Sequence, residues 1–180
     1  MIALLCPGQG SQRPGSLHAA ARLAHGAALL DEASELLEVD VLSEDDEPAL
    51  LRTDVVQRNT FLASVASARA LEDAGLRTAA VAGHSIGAFA AAVAARALEF
   101  PDALKLVDLR GRAMGAAFGS GHAMGVVSGL DERAVSAIAQ QVPGVFVSAE
   151  NAPDQITIFV KNLSIFADGV TSKIFSIALS

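Results

Sequence analysis

The chain has 180 residues, a formal net charge of -7 and one cysteine, with neither tryptophan nor tyrosine. This length suits one domain, or one domain with a small insertion, and the acidic balance argues against nucleic acid as a partner. The longest apolar run, residues 86–95, is shorter than the roughly 20 residues that cross a bilayer, so we expect no membrane partner. Cys6 alone cannot form an internal disulfide or a cysteine-based zinc site, so we expect a cytoplasmic location and no metal. Residues 1–6 are apolar but lack the basic start of a signal peptide.

Strand and helix signals alternate along the first two thirds of the sequence. Short apolar runs are followed at once by glycine-rich turns, and the segments between them carry apolar residues at helical spacing. The predicted elements are, in chain order, a strand at 2–6, a turn at 7–15, a helix at 17–37, an acidic loop at 39–48, a helical turn at 49–52, a helix at 55–74 capped by Thr53 and ended by Gly75, a strand at 78–82, a helix at 86–97 and a helix from 101 to about 118. Strands separated by helices predict an α/β fold with a parallel sheet.

A different pattern follows Gly119-Ser120-Gly121. The predicted elements there are a strand at 123–128, a helix at 132–142, and strands at 145–149 and 155–160. This β-α-β-β order is part of a ferredoxin-like unit. We therefore expect a core domain at 1–121, a partial ferredoxin-like subdomain at 122–160 and a divergent tail at 161–180.

The composition of the tail is unlike that of the preceding sequence. Arginine is absent after Arg133, whereas lysine, isoleucine, serine and phenylalanine become frequent toward the end. Two explanations stay open: the tail departs from the ancestral reading frame, or a short window varies by chance.

The pentapeptide Gly83-His84-Ser85-Ile86-Gly87 has the pattern of a nucleophile elbow. It lies between an apolar run and an alanine-rich segment, an order that predicts strand, sharp turn and helix. Such a turn forces the serine into a strained conformation and requires small residues two positions before and after it. The hydroxyl would then stand at a helix N-terminus, where the dipole favours a developing oxyanion. The alternative is a glycine-rich turn whose serine only caps the helix.

Three further features could belong to the same site. The turn Pro7-Gly8-Gln9-Gly10-Ser11-Gln12 lacks the third glycine of a dinucleotide-binding loop, but it can still offer a backbone N–H. Arg110 lies on a predicted helix 25 residues after Ser85, where it is either a solvated charge or an anion ligand. The segment Asn151-Ala152-Pro153-Asp154-Gln155 falls between two predicted strands.

Together these segments resemble the malonyl-CoA:acyl-carrier-protein transacylase family. The matching pieces are PGQGSQ (7–12), GHSIGAFAAAVAA (83–95), LVDLRGRAM (106–114) and NAPDQ (151–155), in family order along residues 1–158. The resemblance implies a hydrolase-like, parallel-sheet acyltransferase core. It also implies malonyl-CoA as substrate, the phosphopantetheine-type thiol of an acyl carrier protein as acceptor, and no bound cofactor.

The same resemblance assigns roles to individual residues. Ser85 would be the catalytic nucleophile, on an elbow formed with Gly83, His84 and Gly87. The backbone amides of Gln9 and Ile86 would form the oxyanion hole. Arg110 would bind the free carboxylate of the malonyl group, for which its planar fork is suited.

A narrower resemblance is to the epsilon subunit of malonate decarboxylase. It is carried by GQGSQRPGSLH (8–18), VVQRNTFLASVASARALEDAG (55–75) and VAGHSIGAFAAAVAARALEFPDALKLV (81–107), and it would add other malonate decarboxylase subunits as partners. The alternatives are a fatty-acid or polyketide-type malonyl transferase, a serine hydrolase, and a catalytically inactive remnant that only binds acyl-CoA or a carrier protein.

The histidines are where this sequence departs from the family pattern. Family members carry a catalytic histidine beyond the position of residue 180, and His18, His25, His84 and His122 are poor substitutes for it. Losing such a residue can cost on the order of 10⁴–10⁶ in kcat. We therefore expect little or no transferase activity from this polypeptide, and a parallel sheet with uncovered edges and apolar faces.

Overall fold

The computed structural model describes residues 1–117 and 121–161, which fall in two compact units, Met1–Ala117 and the part after it. The elements of the first unit are β1 (Ala3–Cys6), α1 (Ser16–Ala21), α2 (Gly26–Leu37), α3 (Thr53–Asp73), β2 (Ala80–Gly83), α4 (Gly87–Ala94) and α5 (Phe100–Ala117), with short 3₁₀ turns at Val41–Glu44 and Ala49–Leu51. Those of the second unit are β3 (Ala123–Ser128), α6 (Glu132–Ala139), β4 (Val145–Ala152) and β5 (Gln155–Val160). The α/β fold expected from the sequence is confirmed. Residues 118–120, at the expected boundary, and residues 162–180, which are all but the first residue of the expected tail at 161–180, lie outside the described residues.

The sheet of the first unit is a parallel pair that carries the candidate elbow. β1 and β2 run in register from Ala3 opposite Ala80 to Cys6 opposite Gly83. Both strands therefore end at the same edge, where the loop after β1 and the turn after β2 meet. Carboxyl ends of parallel strands are where α/β folds place their ligands.

A buried apolar cluster lies on one side of this sheet. α3 and α5 pack against each other, and α3 also packs against α4. The fully buried large side chains of the cluster are Leu17, Leu29, Leu30, Val41, Phe61, Leu62, Ile86 and Leu104. On the other face, none of the residues 1–117 covers Leu5, which is 73% exposed. Parallel sheets are ordinarily covered on both faces, so this face is unusual.

The predicted single helix at 17–37 is wrong, because α1 and α2 are separate helices. His25 between them has a left-handed backbone, with φ of 58°. A Cβ on Gly26 would overlap the carbonyl group of Ala20, so the chain reverses tightly between the two helices. The helical spacing of apolar residues continues across this break, so the sequence pattern did not reveal it.

The expected cap at Thr53 is also wrong. Arg52 has the extended conformation of the N-cap, with φ of -88° and ψ of 128°, and Thr53 is the first helical residue. The guanidinium of Arg52 donates to Glu44 and to Asp54, at 2.6 Å in each case. The end of α3 is as expected, with Gly75 following it in a left-handed conformation.

The second unit is a three-stranded antiparallel sheet covered by α6. β5 lies between β3 and β4 and is antiparallel to both, so β3 and β4 are parallel and joined through α6. This is the split β-α-β arrangement of a ferredoxin-like unit, and the predicted order of elements is confirmed. Asp131 caps α6 by accepting a hydrogen bond from the Ala134 N–H at 2.8 Å. In the described part of the chain, no helix combines the length and the apolar character that crossing a membrane requires.

Candidate active site

The elbow is formed by the abrupt change from β2 to α4. β2 ends at Gly83 and α4 begins at Gly87, so only three residues join them. Ser85 has a left-handed backbone, with φ of 52°. A positive φ is rare for a residue with a side chain, and it marks strain that the surrounding structure imposes. The predicted nucleophile therefore has the strained backbone that an elbow requires.

The two glycines of the motif are required by close contact with backbone. A Cβ at Gly83 would overlap the carbonyl group of Gly87, and a Cβ at Gly87 would overlap the carbonyls of Cys6 and Pro7. No side chain could be added at either position without moving a strand or the helix. Their spacing around Ser85 is thus a packing requirement of the turn itself.

The glycine-rich loop after β1 lies against the elbow. The His84 N–H donates to the Cys6 carbonyl at 3.1 Å, and a Cβ on Gly8 would lie 2.7 Å from Nδ1 of His84. Within the loop, the Gly10 N–H donates to the side-chain oxygen of Gln12 at 2.7 Å. The loop that carries Gln9 is therefore fixed both internally and against His84.

The predicted oxyanion donors are the backbone N–H groups of Gln9 and Ile86. Neither the Gln9 nor the Ile86 amide donates a hydrogen bond to another described residue. Ile86 is the N-cap of α4, and its side chain is fully buried, which fixes its backbone. An N–H group at a helix start, such as that of Ile86, is typical of an anion-binding position.

Arg110 lies beside the nucleophile. It is half-buried on α5, and its Nη2 donates to Oγ of Ser85 at 3.1 Å. The two residues are 25 positions apart in sequence and are brought together by the packing of α4 and α5. A guanidinium in hydrogen-bond contact with a nucleophile would be able to hold an anionic group attached to that nucleophile.

Gln57 is a site residue that the sequence analysis missed. Its side chain is fully buried on α3, and its oxygen accepts a hydrogen bond from Nη1 of Arg110. Its amide nitrogen in turn donates to the sulfur of Met114 at 3.2 Å. The signal available in the sequence was a run of four polar residues, 57–60, inside the stretch VVQRNTFL (55–62), whose other residues are apolar.

A close crossing of α3 and α5 positions Gln57 and Arg110. Gly111 packs against the backbone of Asp54, and a Cβ on Gly111 would lie 2.7 Å from the Asp54 Cα. Partial burial would by itself raise the pKa of Asp54, but its hydrogen bond and charge interaction with Arg52 outweigh that effect and lower the pKa. Asp54 therefore stays ionised at neutral pH and ties Arg52 to the start of α3.

The four histidines have different surroundings. His18 contacts Asp45 at 3.0 Å and His25 contacts Asp73 at 3.5 Å. The His84 ring lies against Gly8, and in the second unit the His122 ring stacks on Phe159 with centroids 5.6 Å apart. His18 lies on α1 and His25 just before α2, and their side chains are 58% and 73% exposed.

The segment Asn151-Ala152-Pro153-Asp154-Gln155 forms the hairpin between β4 and β5. Pro153 and Asp154 make its two-residue turn, and the Asp154 carbonyl accepts from the Gly129 N–H at 2.8 Å. Asn151 donates to Oγ1 of Thr157 at 2.9 Å. Within the second unit this segment therefore orders one end of the antiparallel sheet.

These features define a class of protein. A strained serine between a parallel strand and a helix, with unused amides at the helix start, is the arrangement of α/β enzymes that pass an acyl group through a serine ester. A family model described as "Acyl transferase domain" matches residues 3–166, and the chain belongs to this family.

Individual relatives agree with the family match. The chain is 35% identical over 166 residues to a malonyl CoA-acyl carrier protein transacylase of Bacillus subtilis, covering 87% of this chain and 52% of that protein. It is similar to the crystal structure of an acyl-carrier-protein S-malonyltransferase from Burkholderia pseudomallei, with a TM-score of 0.79 and 35% identity, over 98% of this chain and 58% of that one. A malonyl-transacylase solved in complex with a type II polyketide synthase acyl-carrier protein matches with a TM-score of 0.80 and 31% identity, over 92% of this chain and 56% of that one. The chain thus spans little more than half the length of these relatives.

Proposed function

We propose that the chain binds malonyl-CoA and carries its malonyl group as an ester on Ser85, for transfer to an acyl-carrier-protein thiol. The observation that supports this most directly is the hydrogen bond from Nη2 of Arg110 to Oγ of Ser85, at 3.1 Å. An acyl group on Ser85 with a carboxylate one methylene away from its carbonyl would place that carboxylate near the guanidinium. An acetyl group would leave the arginine without an anionic partner.

The proposed transfer has two covalent steps. Oγ of Ser85 attacks the thioester carbonyl, a C–O bond forms, and the C–S bond breaks as CoA leaves with the proton that serine gave up. In the second step the acceptor thiol attacks the ester, a C–S bond forms, the C–O bond breaks, and serine regains a proton. Both tetrahedral intermediates carry an oxyanion, for which the amides of Gln9 and Ile86 are the proposed donors.

We propose, as the narrower assignment, that the chain derives from the epsilon subunit of malonate decarboxylase. Support comes from the three long segments at 8–18, 55–75 and 81–107 that resemble that subunit. The fatty-acid or polyketide-type transferase is the competing assignment, and the solved complex with a polyketide carrier protein favours it. The two differ in the acceptor, so malonyl transfer to each type of carrier protein distinguishes them.

The test of the proposed function is acylation of the purified chain by malonyl-CoA. Intact-mass and peptide analysis should find a malonyl adduct on the peptide that contains Ser85, and Ser85→Ala should abolish it. Binding of malonyl-CoA without an adduct would favour the non-catalytic remnant instead. Hydrolysis of small neutral esters that is insensitive to Arg110→Ala would favour a serine hydrolase, and absence of both binding and adduct would contradict the proposal.

A further inference from the structure

Asp45 caps α1 from a distant part of the sequence. α1 begins after Gly15, which has no side chain with which to cap it. Oδ2 of Asp45 instead accepts hydrogen bonds from the N–H groups of Leu17, at 2.8 Å, and His18, at 3.0 Å. These are the N–H groups of the first turn that an N-cap side chain ordinarily serves. The start of α1 therefore depends on a residue of the segment between α2 and α3.

Asp45 holds the start of α1 through its backbone as well as its carboxylate. Its carbonyl oxygen accepts from the Gly15 N–H at 2.9 Å, and its Oδ2 also lies 3.0 Å from Nδ1 of His18. The Asp45 side chain is fully buried, and its Oδ1 has no hydrogen-bond partner among the described residues. A buried carboxylate is costly unless it accepts hydrogen bonds, so the contacts with the start of α1 are the ones that compensate its burial.

The loop of residues 7–15, which carries the predicted donor Gln9, is held at both ends. Near its beginning, Gly8 lies against the ring of His84. Its last residue donates its N–H to the carbonyl of Asp45. A loop that is fixed at both ends has few conformations, and releasing one end gives the residues between them more freedom. The contacts of Asp45 therefore restrict the backbone around Gln9 without touching it.

We propose that Asp45 is a positioning residue for the oxyanion hole: it fixes the end of the glycine-rich loop and thereby keeps the Gln9 N–H in place. This inference rests on the proposed function, in which Gln9 donates to the oxyanion of the intermediates. It adds a separate physical claim, which is that the order of the Gln9 amide depends on a carboxylate elsewhere in the fold. Donors that are already in place stabilise the transition state more than the bound substrate, so losing this order slows acylation and leaves the affinity for substrate unchanged.

Three variants separate the capping contact from general stability. Asp45→Ala removes the acceptor, whereas Asp45→Asn keeps an oxygen that can accept the same backbone hydrogen bonds at nearly the same size. Asp131→Ala is the matched control, because Asp131 caps α6 in the second unit by accepting from the Ala134 N–H at 2.8 Å. If Asp45→Ala does not fold, Asp45→Ser takes its place, since its hydroxyl is one bond shorter than the carboxylate.

The first measurement needs no substrate. Relaxation of ¹⁵N in the full chain gives the order parameters of the Gln9 and Gly10 amides, which are about 0.85 for rigid backbone and below about 0.6 for flexible backbone. We expect both amides to be rigid in the wild type, Asp45→Asn and Asp131→Ala, and flexible in Asp45→Ala. Equally rigid amides in Asp45→Ala would overturn the positioning role, and so would amides that become flexible in Asp131→Ala.

The second measurement separates the rate of acylation from affinity. Intact-mass analysis follows the adduct on Ser85 at several malonyl-CoA concentrations, which gives a maximal rate and a half-saturating concentration. Asp45→Ala should lower the maximal rate by at least about tenfold, since complete loss of one oxyanion donor costs about 10²–10³ in rate, and should leave the half-saturating concentration unchanged. Asp45→Asn should recover most of the rate, and Asp131→Ala should keep it.

The two measurements distinguish the failure of this inference from the failure of the proposed function. An unchanged maximal rate in Asp45→Ala would overturn the role of Asp45 in the oxyanion hole. A wild type that forms no adduct would contradict the proposed function, and the order parameters of Gln9 and Gly10 would then decide the positioning role.

Discussion

Ser85 combines backbone strain with an exposed side chain. Its φ of 52° lies in the left-handed region, where a side chain costs roughly 1–2 kcal/mol. Gly83 and Gly87 hold it there, because neither has room for a Cβ. The chain therefore pays a local stability cost at the residue that we propose to be the nucleophile.

Replacing Ser85 by glycine should stabilise the protein. Glycine tolerates the positive φ, and its greater flexibility in the unfolded chain offsets part of the gain, so we expect a net increase of about 0.5–1 kcal/mol. Ser85→Ala is the matched control, since it removes the hydroxyl but keeps the Cβ. Denaturant unfolding monitored by circular dichroism measures both, and equal stability of the two variants would contradict the strain at this residue.

The sequence predicted some site residues better than others, for physical reasons. Gly83 and Gly87 were predictable because the turn excludes every side chain at those positions. The contact of Arg110 with Ser85 was not, because it depends on the packing of α5 rather than on local spacing. Gln57 was missed because it is one of four consecutive buried polar residues (57–60), and their sequence gives no indication of which one contacts Arg110.

At the scale of elements, the residue at which a helix ends shows more about the backbone than the length of the helix does. α2 ends at Glu38, whose φ is 55° and whose N–H donates to the Glu35 carbonyl. Glycine is the preferred residue at such a left-handed position, so a glutamate there is strained. Apolar periodicity located α2 and α3 but did not show the break at His25, because periodicity reports which face is buried and not where the backbone reverses.

Glu38→Gly should therefore raise stability, and Glu35→Gly should lower it. We expect a gain of about 0.5–1 kcal/mol for the first, since it relieves a left-handed side chain. We expect a loss of about 1 kcal/mol for the second, since it places glycine inside a helix. Both positions are exposed, so packing contributes little to either change. Thermal unfolding measures the stability of both variants. A change in stability of the same sign in both would contradict the assignment of Glu38 as the end of α2.

At the scale of the whole molecule, one face of the parallel sheet is exposed. Leu5 on β1 is 73% exposed, and the outward residues of β2, Ala80 and Ala82, are exposed as well. The sequence predicted a parallel sheet and an antiparallel unit in the correct order, because strand and turn signals are local. The residues that pack against an apolar sheet face are distant in sequence, so local patterns do not predict them.

This exposed face should make the isolated chain self-associate. We expect the apparent mass in size-exclusion chromatography with light scattering to rise with concentration, and Leu5→Ser to reduce that rise. Leu51→Ser is the control, because Leu51 is 85% exposed and lies on a short 3₁₀ turn rather than on a strand. A monodisperse monomer that unfolds cooperatively at all concentrations would contradict this expectation.

We propose that Arg110 recognises an anionic acyl group beside Ser85, and the difference in affinity between malonyl-CoA and acetyl-CoA measures this recognition. The wild type should prefer malonyl-CoA by roughly 10- to 100-fold, the range expected for one charge-assisted hydrogen-bonded contact, and Arg110→Ala should abolish the preference. Arg112→Ala, which removes an exposed arginine paired with Asp108 on the same helix, should keep it. Equal affinities in the wild type, or a preference that survives Arg110→Ala, would contradict this role of Arg110.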